Sequence, residues 1–182
     1  RGIIKEEEQE LYQFGIRNGM ILLLNVVTAL VIGLLTEQLA VVAVFTLSFM
    51  VLRSYTGGYH SDSRVFCYLG SNLVLLVPVY TQAVFYKTSL AWLLAVLLVS
   101  AGIIFLLSPM HSKNRKLDKE EQKHFGRKAR LIAALELAVL GILWHAGQIP
   151  YAYAVYTGIC ITALFMLVGK AQLWIQSHTE NR

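Results

Sequence analysis

Apolar residues gather in six runs, at 19–35, 39–52, 65–86, 90–108, 131–145 and 151–169, with short polar breaks between them. Inside these runs the apolar positions are nearly continuous, so a water-facing stripe is missing. A helix apolar on all sides belongs inside a large core or in lipid. A bilayer core takes about 20 helical residues, with a range of roughly 17–25. The third and fourth runs meet that length easily. The second and fifth are short and, taken singly, suit buried helices as well. Residues 3–14 carry Glu6, Glu7, Glu8 and Glu10 beside Ile3, Ile4, Leu11 and Phe14. That mixture fits a helix lying at the membrane interface as well as it fits a solvated lead-in. Pro78 lies within the third run, where its missing N–H predicts a kink.

Composition agrees with lipid as the solvent. The chain of 182 residues is 56% hydrophobic and 15% charged, against roughly 25% charged in ordinary soluble proteins. The length fits one domain over 1–182. The formal net charge of +5 would suggest nucleic acid if it were spread out, but it is not. Residues 109–130 hold Lys113, Arg115, Lys116, Lys119, Lys123, Arg127, Lys128 and Arg130 against Asp118, Glu120 and Glu121, while the remainder is neutral. One basic loop in a neutral apolar body reads as a cytosolic membrane loop, not a nucleic-acid surface. With six spans, Arg1, Lys5, Arg17, Arg53, Arg64, the basic loop, Lys170 and Arg182 share one compartment and Lys87 alone lies in the other. The expectation is therefore an all-α polytopic membrane protein with six transmembrane helices and both termini in the cytosol. It has an interfacial segment at 1–18 and a basic cytosolic loop at 109–130.

The connection at 53–64 carries more chemistry than a turn needs. It opens RSYTGGYHSDSR and is followed by Val65, Phe66 and Cys67. Gly57 and Gly58 can end the second helix in a backbone conformation that side chains forbid, and they leave bare N–H groups for an oxyanion. Ser61, Asp62 and Ser63 are good N-caps for the third helix. His60 and Cys67 are seven residues apart. On one continuous helix they would be separated by about 10.5 Å along the axis, beyond a hydrogen bond. If the helix begins at 61–63, His60 lies on the preceding loop and can fold back to the thiol. The positive end of the helix dipole, with histidine and arginine nearby, favours a thiolate. A cysteine and histidine so paired make an activated nucleophile and its base. Spacing alone leaves bland alternatives open, because a lone cysteine in an apolar helix is usually a small hydrophobe. Metal binding is disfavoured, since a structural zinc site takes four ligands and only His60, Cys67 and Asp62 are local. Cys160, in the middle of the sixth run, reads as core packing, and two cysteines make no disulfide framework.

The string LRSYTGGYHSDSRVFC resembles the signature L-R-x-x-x-G-G-x-H-x(6)-C of the accessory gene regulator B (AgrB) family, membrane cysteine endopeptidases of Gram-positive quorum sensing. YQFGIRNGMILLLN is similar to that family's Y-x-x-G lead into its first span. SPMHSKNRKLDKEEQKHFGRKAR resembles the loop after its fourth span, although Lys116 stands where relatives often have a second proline. The resemblance implies a thiol protease of the plasma membrane of a Gram-positive-type bacterium, with its site on the cytosolic face. It implies Cys67 as nucleophile and His60 as base. Arg53 would position substrate or site, Gly57 and Gly58 would set the backbone, and Asp62 would orient His60 or cap the helix. The substrate implied is an AgrD-like precursor peptide, cut C-terminal to its future ring with an acyl-thioester on Cys67. No cofactor is implied, and a homodimer fits the family.

Other polar residues in the spans have structural readings. Glu136 is the acid deepest in a span, within reach of Arg130, and an intramembrane charge is also a functional candidate. Asn25, Asn72 and Gln82 suit interhelical hydrogen bonds. Trp144 reads as an interface anchor beside His145. Two other functional classes are compatible with the same spans: a small membrane transporter or export partner for a peptide, and a non-enzymatic scaffold. The first of these depends on polar groups along the spans, the enzyme on Cys67.

Overall fold

The computed structural model describes residues 6–57, 64–110 and 118–179. Seven helices occur among them, and no strand: α1 Glu6–Leu35, α2 Leu39–Thr56, α3 Arg64–Tyr80, α4 Gln82–Lys87, α5 Leu90–Leu107, α6 Lys119–His145 and α7 Ile149–Thr179. Three are long and apolar enough to cross a membrane, at Leu39–Thr56, Leu90–Leu107 and Ile149–Ile175. A shorter apolar stretch, Gly19–Leu35, lies within α1.

Each run of the sequence pattern corresponds to helix, with informative differences at the edges. Residues 6–14 are the start of α1, which continues without a break into the first run. The third run is two helices. Pro78 lies inside α3, which ends two residues later at Tyr80, and α4 resumes after Thr81. Proline withholds the N–H that the carbonyl four residues back would accept, which loosens that turn. The basic segment includes the start of α6, at Lys119.

The bundle is centred on α7. Its apolar window is 61% buried, against 17% for that of α5, so α7 is the axis and α5 a lipid-facing strut. The principal helix pair is α2 with α7. In lipid there is no hydrophobic gain on bringing two apolar helices together, so small residues and close backbone approach supply the attraction. At Gly158 a Cβ would overlap the Oγ of Ser48 and lie 3.4 Å from the backbone nitrogen of Phe49. Only glycine allows that approach. Thr157 and Thr162, both buried on α7, donate their hydroxyls to the carbonyls of Tyr153 and Gly158, each at 2.8 Å. They thus bury no unpaired hydroxyl. The tight α1–α2 turn has the same logic: a Cβ on Gly33 would be 2.8 Å from the Cα of Leu39.

Two apolar clusters fill the interior. One joins Ala29, Val42, Phe45, Leu75, Phe85 and Tyr153. The other joins Leu52, Ile104, Ala133, Val155, Ile159 and Met166. Large apolar side chains such as Leu23, Leu34, Leu98, Leu106 and Ile142 are exposed. In water they would make a patch far above the few hundred Å² a monomer tolerates; facing lipid tails they are at no disadvantage.

Interhelical polar contacts differ from the sequence expectation. The Oδ1 atoms of Asn25 and Asn72 are buried without a hydrogen-bond partner among the described residues, and Gln82 reaches Tyr86 within its own helix at 3.4 Å. Hydroxyls do the bridging instead. Thr28 of α1 pairs with Tyr68 of α3 at 2.8 Å, and Thr81 pairs with Tyr153 of α7 at 2.6 Å. Trp144 also packs inward. Its indole packs edge-on to Phe85 at 6.3 Å, beside an apolar cavity of about 260 Å³ that Leu93, Leu97 and Tyr156 also line. That cavity lies at the end where α6 finishes and α5 begins.

Candidate functional site

At the other end of the bundle, α2 finishes, α3 begins, α5 finishes and α6 begins. The last turn of α2 contains Arg53, so the chemistry-bearing stretch starts on helix rather than loop. Gly57 ends that helix. Its φ of +72° and ψ of −155° fall in a region essentially reserved for glycine. Its N–H donates to the carbonyl of Arg53 at 3.3 Å, and the N–H of Met110 donates to the carbonyl of Thr56 at 2.9 Å. A Cβ on Gly57 would be 2.7 Å from the carbonyl oxygen of Met110. Glycine is therefore required twice, by backbone conformation and by the closeness of the neighbouring chain.

That neighbour is the connection from α5 to α6. Ser108 is buried, with its hydroxyl 4.0 Å from the Met166 sulfur. Gly126 lets α6 pass Pro109, whose Cδ would be 3.0 Å from an added Cβ. Tyr55, in the last turn of α2, meets the Phe125 ring at 6.3 Å, and Lys128 lies 5.8 Å over the Tyr55 ring. Lys123, Arg127, Lys128 and Arg130 are exposed on the same turns of α6. The Arg130 Nε donates to the carbonyl of Phe105 at 3.2 Å. The basic segment and the start of the 57–63 connection are thus neighbours in space, which their separation in sequence conceals.

Arg53 is half-buried, with its guanidinium carbon 4.8 Å over the ring of Phe165 and 5.8 Å over that of Phe49. Phe165 belongs to α7. Cys67 is in the first turn of α3, and the described part of it is its backbone. Gly58, His60 and Asp62 lie outside the described residues. Seven residues, 57–63, join α2 to α3. Even fully extended, such a connection spans no more than about 25 Å, so the start of α3 is held near the end of α2. Among the described residues no group of three or more His, Cys, Asp or Glu side chains is arranged to hold a metal ion. Cys160 is half-buried in the middle of α7 as a free thiol. Glu136 does not pair with Arg130: its Oε2 accepts a hydrogen bond from Ser48 of α2 at 2.8 Å.

Sequence reasoning missed Met110, Gly126 and Phe165. Local patterns hold little sign of them, since each acts through a partner distant in the chain. A glycine seventeen residues after a proline is no motif.

Helices too apolar for water, joined at one end by a basic segment and a glycine-terminated turn, define a polytopic helical membrane protein. The sequence profile of the accessory gene regulator B family matches residues 1–167, and the chain belongs to that family. It is 26% identical over 156 residues to the accessory gene regulator protein B of Staphylococcus intermedius, covering 84% of this chain and 80% of that protein. It is 24% identical over 131 residues to an AgrB-like protein 2 of Clostridium perfringens strain 13, covering 69% of this chain and 61% of that protein. A second AgrB-like protein, of Clostridium perfringens strain SM101, has the same identity and coverage. This chain thus spans under two thirds of the length of these clostridial relatives. No solved structure matches it.

Proposed function

We propose that the chain is a membrane-embedded cysteine endopeptidase of six spans, its site at the cytosolic rim, which processes an AgrD-like quorum-sensing precursor. The observation that carries the reading is the order along the chain, Arg53, Gly57-Gly58, His60, Cys67, with the cysteine in the first turn of α3. Membership of the accessory gene regulator B family supports it. The six-pass topology rests on the distribution of Lys and Arg and on the three tight turns that end α1, α4 and α6.

The chemistry runs in two displacements. His60 accepts the thiol proton, and the Cys67 sulfur attacks the scissile carbonyl. The Gly57 N–H is taken by the Arg53 carbonyl, so the oxyanion is assigned to backbone N–H groups that follow it in the connection. His60 returns its proton to the departing amine, the C-terminal fragment leaves, and the remainder is held on Cys67 as a thioester. A cysteine thiol or serine hydroxyl of the precursor then attacks that thioester, closes a thiolactone or lactone ring and restores the thiol. Exchanging an amide for a thioester is uphill, so water must be kept from the acyl-enzyme. A position at the membrane edge serves that end. An amphipathic leader on the precursor, lying on the inner leaflet, brings the substrate to the same depth. The exposed Lys123, Arg127 and Lys128 attract anionic groups there, whether peptide carboxylates or lipid head groups.

The test is co-expression with an AgrD-like precursor peptide, followed by mass spectrometry of the membrane fraction. A precursor–Cys67 thioester is expected, absent in Cys67→Ser and in His60→Ala. Wild-type amounts of cleaved peptide in Cys67→Ala would end the enzymatic reading and favour a transporter or export partner.

A further inference from the structure

Contacts of both backbone and side chain hold Arg53. Its carbonyl accepts the N–H of Gly57 at 3.3 Å, which ties its backbone to the end of α2. Its guanidinium rests on aromatic rings: Phe165 of α7 at 4.8 Å and Phe49, one turn earlier on α2, at 5.8 Å. The two rings meet edge to face at 5.8 Å, and Phe49 in turn stacks on the buried Phe45 at 5.9 Å. The arrangement is a wall of rings running from the core to the site end, with the cation at its outer edge. An aromatic face attracts a guanidinium through its quadrupole, by roughly 0.5–2 kcal/mol as desolvation increases. A long arginine side chain has about 2 kcal/mol of rotamer entropy to lose, a cost that a contact of that size largely offsets.

We propose that Phe165 is a positioning residue for the site: its ring, carried by the central helix, sets the orientation of the Arg53 guanidinium in the last turn of α2. The inference rests on the endopeptidase reading and adds to it a residue of α7, which no local motif connects to the site. It also explains how the axis of the bundle reaches the chemistry. Helix α7 has no residue in the Arg–Gly–Gly–His–Cys string, yet it is the helix against which α2 is registered, through Gly158 and Ser48. Phe165 lies two turns from Gly158 on α7, and Arg53 a little over one turn from Ser48 on α2. The packing that brings the helices together therefore also brings the ring under the cation.

A role in packing alone and a role in orientation predict different behaviour. Phe165→Leu and Phe165→Met keep an apolar side chain of useful size but lose the aromatic face; Phe165→Tyr and Phe165→Trp keep the face. Processing of the co-expressed precursor is expected to fall roughly 3- to 10-fold in the Leu and Met variants, with kcat reduced more than KM is raised. Tyr or Trp should restore most of it. The thermal midpoint in detergent should differ little between Leu and Tyr. In an Arg53→Gln background, where the cation is gone, Phe165→Leu should cost much less than it does in the wild type. Full activity in Phe165→Leu, or an equal loss in both backgrounds, overturns the inference and leaves the endopeptidase reading intact. Absence of a Cys67 adduct in the wild type removes that reading and this inference together.

Discussion

At the scale of single residues, Gly57 carries the strictest demand. Its backbone angles cost a residue with a side chain of order 1–3 kcal/mol, and the Met110 carbonyl occupies the space a Cβ would need. Gly147 offers an internal comparison. It has a similar φ, +73°, in the turn between α6 and α7, but an added Cβ there meets nothing within 4 Å. Gly147→Ala should therefore lower stability by about 1–2 kcal/mol through backbone strain alone and leave peptide processing near normal. Gly57→Ala should lower stability further and reduce processing more than tenfold, because Thr56, Met110 and the start of the 57–63 connection must shift. Thermal unfolding in detergent, read beside a processing assay, separates the two effects. Equal behaviour of both variants would mean that the Met110 contact has no bearing on the site.

At the scale of elements, the decisive pair is α2 with α7. Gly158→Ala drives a methyl group into Ser48 and should cost about 1–3 kcal/mol, the usual penalty of overpacking. Removing the obstacle should return part of the loss. In Ser48→Ala the hydroxyl is gone, so the double variant should be less destabilised than the sum of the singles, by 0.5 kcal/mol or more. Strict additivity would show that the helices meet differently from the contact described. Glu136 belongs to the same place, since its Oε2 takes the Ser48 hydroxyl. Glu136→Gln keeps a side-chain oxygen for that hydrogen bond, whereas Glu136→Leu removes it. Stability should thus fall by roughly 1 kcal/mol more in the second, again measured by thermal unfolding.

Helix α6 teaches a different lesson at this scale. Its first three turns read as loop because of their charge, yet Gly126, Ala129 and Ala133 are buried, and that spacing is a helical face. The stripe is made of small residues, so it hardly registers in a hydropathy reading. It records close approach rather than apolar area. The break at Thr81, by contrast, was announced by Pro78, because proline acts on its own backbone.

At the scale of the whole molecule, the proposed orientation predicts a labelling pattern. In a Cys67→Ser, Cys160→Ser background, a cysteine at Glu37 or Gln148, exposed in the α1–α2 and α6–α7 turns, should react with a membrane-impermeant maleimide on intact protoplasts. A cysteine at Lys123 should react only after the membrane is opened. Labelling of Lys123→Cys from outside would invert the topology and put the candidate site in the wrong compartment for a cytosolic precursor. Ionic strength should have little effect on the fold, whose two core clusters are apolar, and a larger effect on capture of anionic partners by α6, since exposed charges are screened within about 8–10 Å.

The chain by itself determined the helical class, the membrane as solvent, the six apolar runs, the family and the short string with candidate chemistry. All of these are properties of adjacent residues: a run of apolar side chains, a bias in Lys and Arg, a glycine pair, a proline. Tertiary structure alone decided that Met110 closes on Thr56 and Gly57, that Ser48 finds Glu136, and that Phe165 lies beneath Arg53. Each of those joins residues far apart in sequence. Each depends on how closely two helices approach, which is fixed by side-chain volumes on both surfaces at once and so is written in no single stretch.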